Sequence, residues 1–421
     1  MKGEGTQIRE KIKKEEEKMA RRYVRMTGLF LGLLFLISYG QPVWSAESKI
    51  IKFGTGLPLS GPAYTWGVNF DRFIRRATDD VNNAGGINIG GVNYKWQVIT
   101  YDHGYVPARA LDVAKRLVDG DKVDIVSIMG GGVQTMCLDF ISSRKILHFA
   151  TGTAHHFWIG PKWPLNFSHW PPAEAALWGV SRYLGSLGIK TAAFINPDED
   201  HGRAHSKGRV AQMEAVGVKS LGEDFYPRGT SEFYPILRRL LAKNPDLLDV
   251  GTGGTRDCGL MTKQARELGY KGPILAWTIS KGQFEKIVPK ESLENTISVV
   301  NPPLWEGLPM KGKTKELFDW YVGKFDINEW DSSSLAPHSM MELLTEAIKK
   351  AQSLDPYKLA AALEKIDKNN PLDAATGKTY IDSYDFGIPR VMSFPFAAYR
   401  FQNGKWNEVS SDMPSLEWQK K

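Results

Sequence analysis

Cysteine is nearly missing from this chain: 421 residues contain two, Cys137 and Cys258. Two thiols form no paired zinc spacing and cannot staple a chain of this length, which excludes a disulfide scaffold and a zinc ribbon. They are expected as buried thiols in separate lobes. No Gly-x-Ser-x-Gly elbow and no zinc-protease motif occurs, so no nucleophile, base and orienter are set out in the sequence, and an enzyme is not expected. Acidic residues are in slight deficit, with a net charge of +7, but Met1 to Thr27 alone carries nine Lys or Arg against five Glu. The rest is near balance and has no Lys/Arg stripe along one helix face, which excludes a nucleic-acid footprint. With 42% hydrophobic residues, disorder and collagen-like repetition are excluded too, and the length suggests two or three domain-sized units held by apolar burial.

Long hydrophobic runs are also lacking. The uncharged stretch Gly28 to Gly40 has 13 residues, short of the roughly 20 that span a bilayer core. Preceded by Arg21, Arg22 and Arg25 and followed by Gln41-Pro42-Val43-Trp44-Ser45-Ala46, it has the layout of a secretory signal peptide. Val43 and Ser45 favour cleavage after Ser45, because cleavage after Ala46 would place bulky Trp44 at the third-last position. The mature chain is therefore expected to start near Ala46. Met19 would open a signal of ordinary length, which makes residues 1–18 a candidate upstream misreading of the start codon. The Arg21-Arg22 pair leaves general secretion and twin-arginine export both open. No cysteine follows the run, so a lipobox anchor is excluded, and the expected location is the periplasm.

From Lys49 onward, short apolar runs alternate with amphipathic stretches, the pattern of βα units building a parallel sheet. Strands are predicted at Ile50 to Gly56, Tyr94 to Tyr101, Val123 to Ile128 and Leu147 to Ala150. Helices are predicted from Thr65 to Asn83, from Pro107, and from Val133. A Trp-, Pro- and His-dense region, Trp158 to Pro172, marks a domain crossing. A second series follows, with helices Ala173 to Leu187, Gly202 to Val216, Glu232 to Ala242 and Cys258 to Leu268, and strands Thr191 to Ile195, Ser220 to Phe225, Leu247 to Val250 and Pro273 to Trp277. Helices Thr314 to Phe325, Leu335 to Ala351 and Pro356 to Ile366 come next. A closing hairpin is predicted from Phe396 to Phe401 and Trp406 to Val409 about Asn403-Gly404. The fold class is α/β, with two Rossmann-like lobes, parallel central sheets and a multi-crossing hinge. The boundaries read as 1–45 signal, 46–168 lobe 1, 169–298 lobe 2, 299–392 a return to lobe 1, and 393–421 a return to lobe 2 with a tail.

In open α/β sheets a ligand sits beyond the carboxyl ends of the strands. The strand exits Leu57 to Trp66, Gly130 to Gln134, Thr151 to His156, Asn196 to Arg203, Gly251 to Arg256 and Thr278 to Lys281 are therefore expected to line a cleft. Adjacent histidines at His155-His156 lack a completing carboxylate or cysteine, so no metal is expected. Gly251-Thr252-Gly253-Gly254 lacks the Lys-Ser/Thr of a phosphate loop, and no cofactor is expected either.

Several segments appear in a familiar order: Leu57-Pro58-Leu59-Ser60-Gly61-Pro62-Ala63, Trp66-Gly67, Asn82-Asn83-Ala84-Gly85-Gly86-Ile87, Tyr101-Asp102, Pro107-Ala108-Arg109-Ala110 and Lys263-Gln264-Ala265-Arg266-Glu267-Leu268-Gly269. In this the chain resembles the type I periplasmic solute-binding proteins of the leucine/isoleucine/valine-binding family. The resemblance implies a monomeric receptor that closes two lobes on a small solute and presents it to an ABC permease. It implies that the ligand carboxylate meets Gly131, Gly132, Val133 and Gln134, and that Thr151, Thr153 and Ala154 lie beside it. Trp66 takes the place of an apolar wall. His201 stands where the family has a tyrosine, with Arg203 beside it, while Thr255, Arg256, Thr278 and Ile279 fall where the second lobe meets the ligand. The family threonine becomes Ala154, the acidic residue near Ile279 is missing, and so is the tyrosine around Gly254 or Thr255. The usual cage for an α-amino group is thus not visible. The expected ligand is a small organic acid or a hydrophobic or aromatic amino acid. A sensing module that signals through a membrane partner without transport is the alternative.

Overall fold

The computed structural model describes residues 9–25, 48–61, 63–152, 159–277, 279–300, 310, 312–331 and 335–420. Residues 9–25 form a helix within a unit, Met1–Glu47, that is separate from the unit Ser48–Lys421. No helix among the described residues is long and apolar enough to cross a membrane. The expected cleavage site lies outside the described residues.

The first strands are β1 Lys49–Leu57, β2 Ile87–Ile89, β3 Val92–Asp102, β4 Ile125–Met129, β5 Leu147–Thr151 and β6 Asn166–Ser168. The next are β7 Thr191–Pro197, β8 Lys219–Tyr226, β9 Leu247–Asp249, β10 Ile274–Trp277 and β11 Thr296–Val300. The last are β12 Leu372–Ala374, β13 Gly377–Asp382, β14 Val391–Ser393, β15 Phe396–Gln402 and β16 Lys405–Asp412. The helices are α1 Tyr64–Asn83, α2 Pro107–Lys115, α3 Gly131–Ser143, α4 Ala173–Ala176, α5 Trp178–Ser186, α6 Asp200–Ala215, α7 Tyr234–Leu241, α8 Thr255–Glu267, α9 Lys281–Ile287, α10 Gly312–Val322, α11 Leu335–Ala351 and α12 Pro356–Leu363.

Two sheets result. The first runs β12-β13-β14-β6-β5-β4-β1-β3-β2 and the second β16-β15-β11-β10-β9-β7-β8. The central strands are parallel, with β1 between β3 and β4 and β7 between β8 and β9. Their near-continuous Ile, Val, Leu and Phe content follows from burial on both faces; Phe53, Ile125, Phe149, Phe194 and Leu248 are inaccessible. Antiparallel pairs close the edges, β15 with β16 across a turn where Asn403 and Gly404 take φ of 54° and 76°. That is the hairpin the Asn-Gly pair predicts.

Most predicted elements agree within a few residues, and the differences have local causes. The expected helix Ala173 to Leu187 is split, since Leu177 leaves helical geometry at φ −95°, ψ 5°. β2, β11, β12, β14 and α9 are short, three to seven residues each, too brief for a periodicity to show. Cys137 packs among apolar residues of α2, α3 and β4, and Cys258 in the cluster around the second sheet; both are free.

The chain leaves one sheet for the other after β6, after β11 and after β14. At two of these passages an aromatic knot forms: Trp170, just beyond β6, meets Phe394 and Phe396, between and within β14 and β15, edge-on at 5.5 Å each. The knot belongs to a single apolar core reaching Phe149 and Phe167 of the first sheet and Phe194 and Leu275 of the second. This knot, a pivot in the chain path between the sheets, buries its apolar surface against both.

Candidate binding cleft

The carboxyl ends of the central strands of both sheets converge on a cavity with an empty volume of about 620 Å³, counting the part open to solvent. From the first sheet side come Trp66 and Phe70 of α1, Tyr105, Met129, Gly130, Gly131, Thr151 and Gly152; from the second come His201, Thr252 and Trp277; Trp170 of the pivot completes the lining. The walls are mainly aromatic, and no Asp or Glu occurs among the described lining residues. Such a surface favours a flat, apolar solute.

One end presents hydrogen-bond donors. Gly130, at φ 117°, turns the chain out of β4 into α3, and the first turn of that helix offers amide N–H groups with no acceptor inside the helix, at the positive end of its dipole. Gln134 lies on the same turn. Its Oε1 accepts from Thr151 N at 2.8 Å, which fixes the amide plane, and its Nε2 is buried with no hydrogen-bond partner among the described residues. A donor left over in this position can be satisfied by a ligand oxygen.

No Lys or Arg occurs among the described lining residues. Burial pushes the His201 imidazole down to about 4, with Glu199 opposing that shift, and His169, behind Thr151, down to about 3. His205 is held well below its ordinary value by burial, with His201 and Arg209 adding to the effect. It stacks on Trp277 with centroids 4.8 Å apart. At neutral pH all three rings are uncharged, so a carboxylate here is met by dipoles and not by a cation.

The two sides touch around the cavity. A Cβ on Gly254, at φ 83°, would stand 3.3 Å from the Trp66 ring, and one on Gly131 would stand 3.1 Å from the His201 Cβ. Glycine at both places lets backbone approach where a side chain would hold the sides apart. Arg228, bound to Glu199 at 2.5 and 2.9 Å, lies over the Tyr105 ring with its guanidinium carbon 5.2 Å from the centroid. Burial by itself would lower the Arg228 pKa, but Tyr105 and Glu199 raise it overall, so the guanidinium stays charged. Burial would likewise raise Glu199, and its bonds to Arg228 hold it below its ordinary value.

Of the residues expected at the site, Trp66, Gly131, Thr151 and His201 line the cavity, with Gln134 one bond behind. Gly132 lies in the same helical turn. Five expectations are corrected. The Val133 side chain turns into the core with Ile128 and Cys137, leaving only its backbone toward the cleft. Ile279 is inaccessible, packed in the apolar cluster around the second sheet. Arg203 is on the exposed side of α6, paired with Asp198 at 2.5 Å, because it lies two residues past His201 on a helix. Thr255 and Arg256 belong to an adjoining polar pocket beyond Trp66; Thr255 Oγ1 accepts from Ser280 N at 2.9 Å, and half-exposed Arg256 pairs with Asp257. Thr153, Ala154 and Thr278 lie outside the described residues. The sequence reading missed Phe70, Tyr105, Met129, Trp170 and Trp277. Trp170 and Trp277 did carry a signal, an aromatic at a crossing and at a strand exit.

A family model described as periplasmic binding protein matches residues 50–394. The chain belongs to that family. An amino acid binding protein of Pseudomonas aeruginosa is 23% identical over 244 residues, 54% of this chain and 60% of that one. Among solved structures, the branched-chain amino acid transporter substrate binding protein LivJ from Streptococcus pneumoniae, in complex with isoleucine, matches at TM-score 0.70 and 20% identity, covering 87% of this chain and all of that one. A solute binding protein of an ABC transporter from R. palustris, in complex with 4-hydroxybenzoate, matches at TM-score 0.71 and 17% identity, covering 88% and 99%. The family is that of periplasmic binding proteins, and the fold of this binding protein is the one these solved structures share.

Proposed function

We propose that this binding protein is the periplasmic receptor of an ABC importer and closes on an aromatic monocarboxylate without an α-amino group. The observation that carries this reading is the cavity itself, three tryptophans, a tyrosine and a phenylalanine around a helix N-terminus, with no carboxylate among the described lining residues to pair an ammonium. The carboxylate sits at the first turn of α3 with Gln134 Nε2, and the ring lies among Trp66, Tyr105, Trp170 and Trp277. The 4-hydroxybenzoate complex of a protein with the same fold supports this ligand class. A hydrophobic amino acid is the second reading, favoured by the ligand of the Streptococcus pneumoniae relative.

In this reading residues 1–45 are removed on export, and the lobes are 46–168 with 299–392 and 169–298 with 393–421. The receptor acts as a monomer. Thermal unfolding against a panel of benzoates and free amino acids separates the ligands, because a ligand at 100 times its Kd stabilises the native state by about 2.7 kcal/mol. Benzoates are expected to raise the midpoint and leucine to leave it unchanged; the reverse would replace the first reading by the second. Loss of solute uptake on gene deletion is expected for transport, and unchanged uptake would favour sensing.

A further inference from the structure

The far side of the cavity carries polar atoms that the fold leaves unused. Trp277 and Thr252, at the carboxyl-terminal ends of β10 and β9, both line the cavity from the second sheet and are only 3% and 5% exposed. Trp277 Nε1 and Thr252 Oγ1 find no hydrogen-bond partner among the described residues. Asn196, inaccessible at the end of β7, points its Oδ1 at Thr252 N, 3.4 Å away, and its Nδ2 is also unpartnered. Both ring nitrogens of His205, stacked behind Trp277, are in the same condition. Buried polar groups are almost always bonded, and a local cluster of exceptions on a binding wall marks where a ligand or ordered water supplies the partner.

The chemistry of these two unpartnered atoms narrows the partner. An indole N–H only donates, whereas a threonine hydroxyl can accept. A ligand hydroxyl satisfies both at once, its oxygen taking the Trp277 hydrogen and its own hydrogen going to Thr252. In a monocarboxylate whose carboxylate lies at the first turn of α3, the group left for this wall is neutral, and a hydroxyl is the neutral group that both accepts and donates. An ammonium would oppose the indole donor.

We infer that Trp277 and Thr252 hold a hydroxyl on the ligand ring, so the receptor selects a hydroxylated aromatic acid over the unsubstituted one. This rests on the aromatic-acid reading above and adds the second recognition point.

Calorimetric titration of the purified protein with benzoate and its 2-, 3- and 4-hydroxy forms tests it. At least one hydroxybenzoate is expected to bind about tenfold more tightly than benzoate, the effect of one good hydrogen bond to a buried donor. Trp277→Phe keeps a ring against His205 and Thr252→Val keeps the volume. Each is expected to bring the ratio of affinities to within about twofold, with the unfolding midpoint confirming that each variant is folded. Equal affinity for benzoate and all three hydroxy forms in the unaltered protein, or a preference that survives both substitutions, would overturn the inference and leave the aromatic-acid reading standing, with only water filling the cluster. Binding of none of the four would overturn both.

Discussion

Arg209 lies on α6 with no exposed surface, its Nε bound to Asp249 at 2.9 Å and its Nη1 to Ser181 and Gln212 at 2.6 and 2.7 Å. A buried guanidinium is tolerated there because its charge is matched and most of its donors are used. Arg209→Ala would strand Asp249 without a counter-charge under the second sheet. Chemical denaturation is expected to show a loss of about 3–5 kcal/mol; a loss below about 1 kcal/mol would mean that water takes over the arginine's role. No feature of the sequence around Arg209 marks it as buried, since a basic residue on an amphipathic helix ordinarily faces solvent.

Between elements, the contact of α1 with α11 contains a titratable pair. His338 is almost fully buried, with Nδ1 3.2 Å from Glu342 and Nε2 3.9 Å from Asp80. Burial by itself would lower the imidazole pKa, but the nearby carboxylates of Asp80 and Glu342 outweigh it and raise the value above the ordinary histidine range. The same contacts hold both carboxylates below theirs, against burial. A histidine whose folded pKa is raised contributes stability that is complete below the unfolded value of about 6.5 and lost as pH climbs through the folded one. The carboxylates contribute above their unfolded range and lose their share on acidification. The melting temperature is therefore expected to fall as pH rises above about 6.5, and His338→Gln to flatten that slope. An unchanged slope would place the titrating group elsewhere. The helical period of α11 was legible because Met340, Leu343, Leu344, Ala347 and Ile348 recur on one face. The facing carboxylates were not, since Asp80 and His338 are brought together only by packing.

At the scale of the whole molecule, closure of the proposed receptor is an equilibrium that every contact across the cleft biases. In the proposed receptor, Arg228 with Glu199 on one side and Tyr105 on the other forms a charged latch, largely sheltered from solvent at side-chain exposures of 17% and 21% for the ion pair. Arg228→Ala removes the cation that Tyr105 holds and leaves Glu199 unpaired. The apparent affinity for ligand is expected to fall by about tenfold, because the competent closed state is less populated, and small-angle scattering is expected to show a larger radius of gyration without ligand. An unchanged affinity together with an unchanged radius would assign the trio to local stability alone.

The periodicities, strand exits and turn residues of this sequence determined the α/β class, the order of most helices and strands and the places where a ligand would be met, because those depend on neighbours within a few positions of one another. Trp66, Gly131, Thr151 and His201, expected at strand exits, line the cavity. Tertiary structure decided the direction in which a side chain at an exit points. It sent Val133 and Ile279 into apolar cores and Arg203 to solvent, and it brought Trp170 from the pivot and Trp277 from β10 to the same cavity wall. The rotation of a residue about its element is fixed by which sheet that element packs against. That choice is settled by the burial of all the elements together, so the polar cluster of Thr252, Trp277, Asn196 and His205 exists only once β7, β9, β10 and α6 are packed against one another.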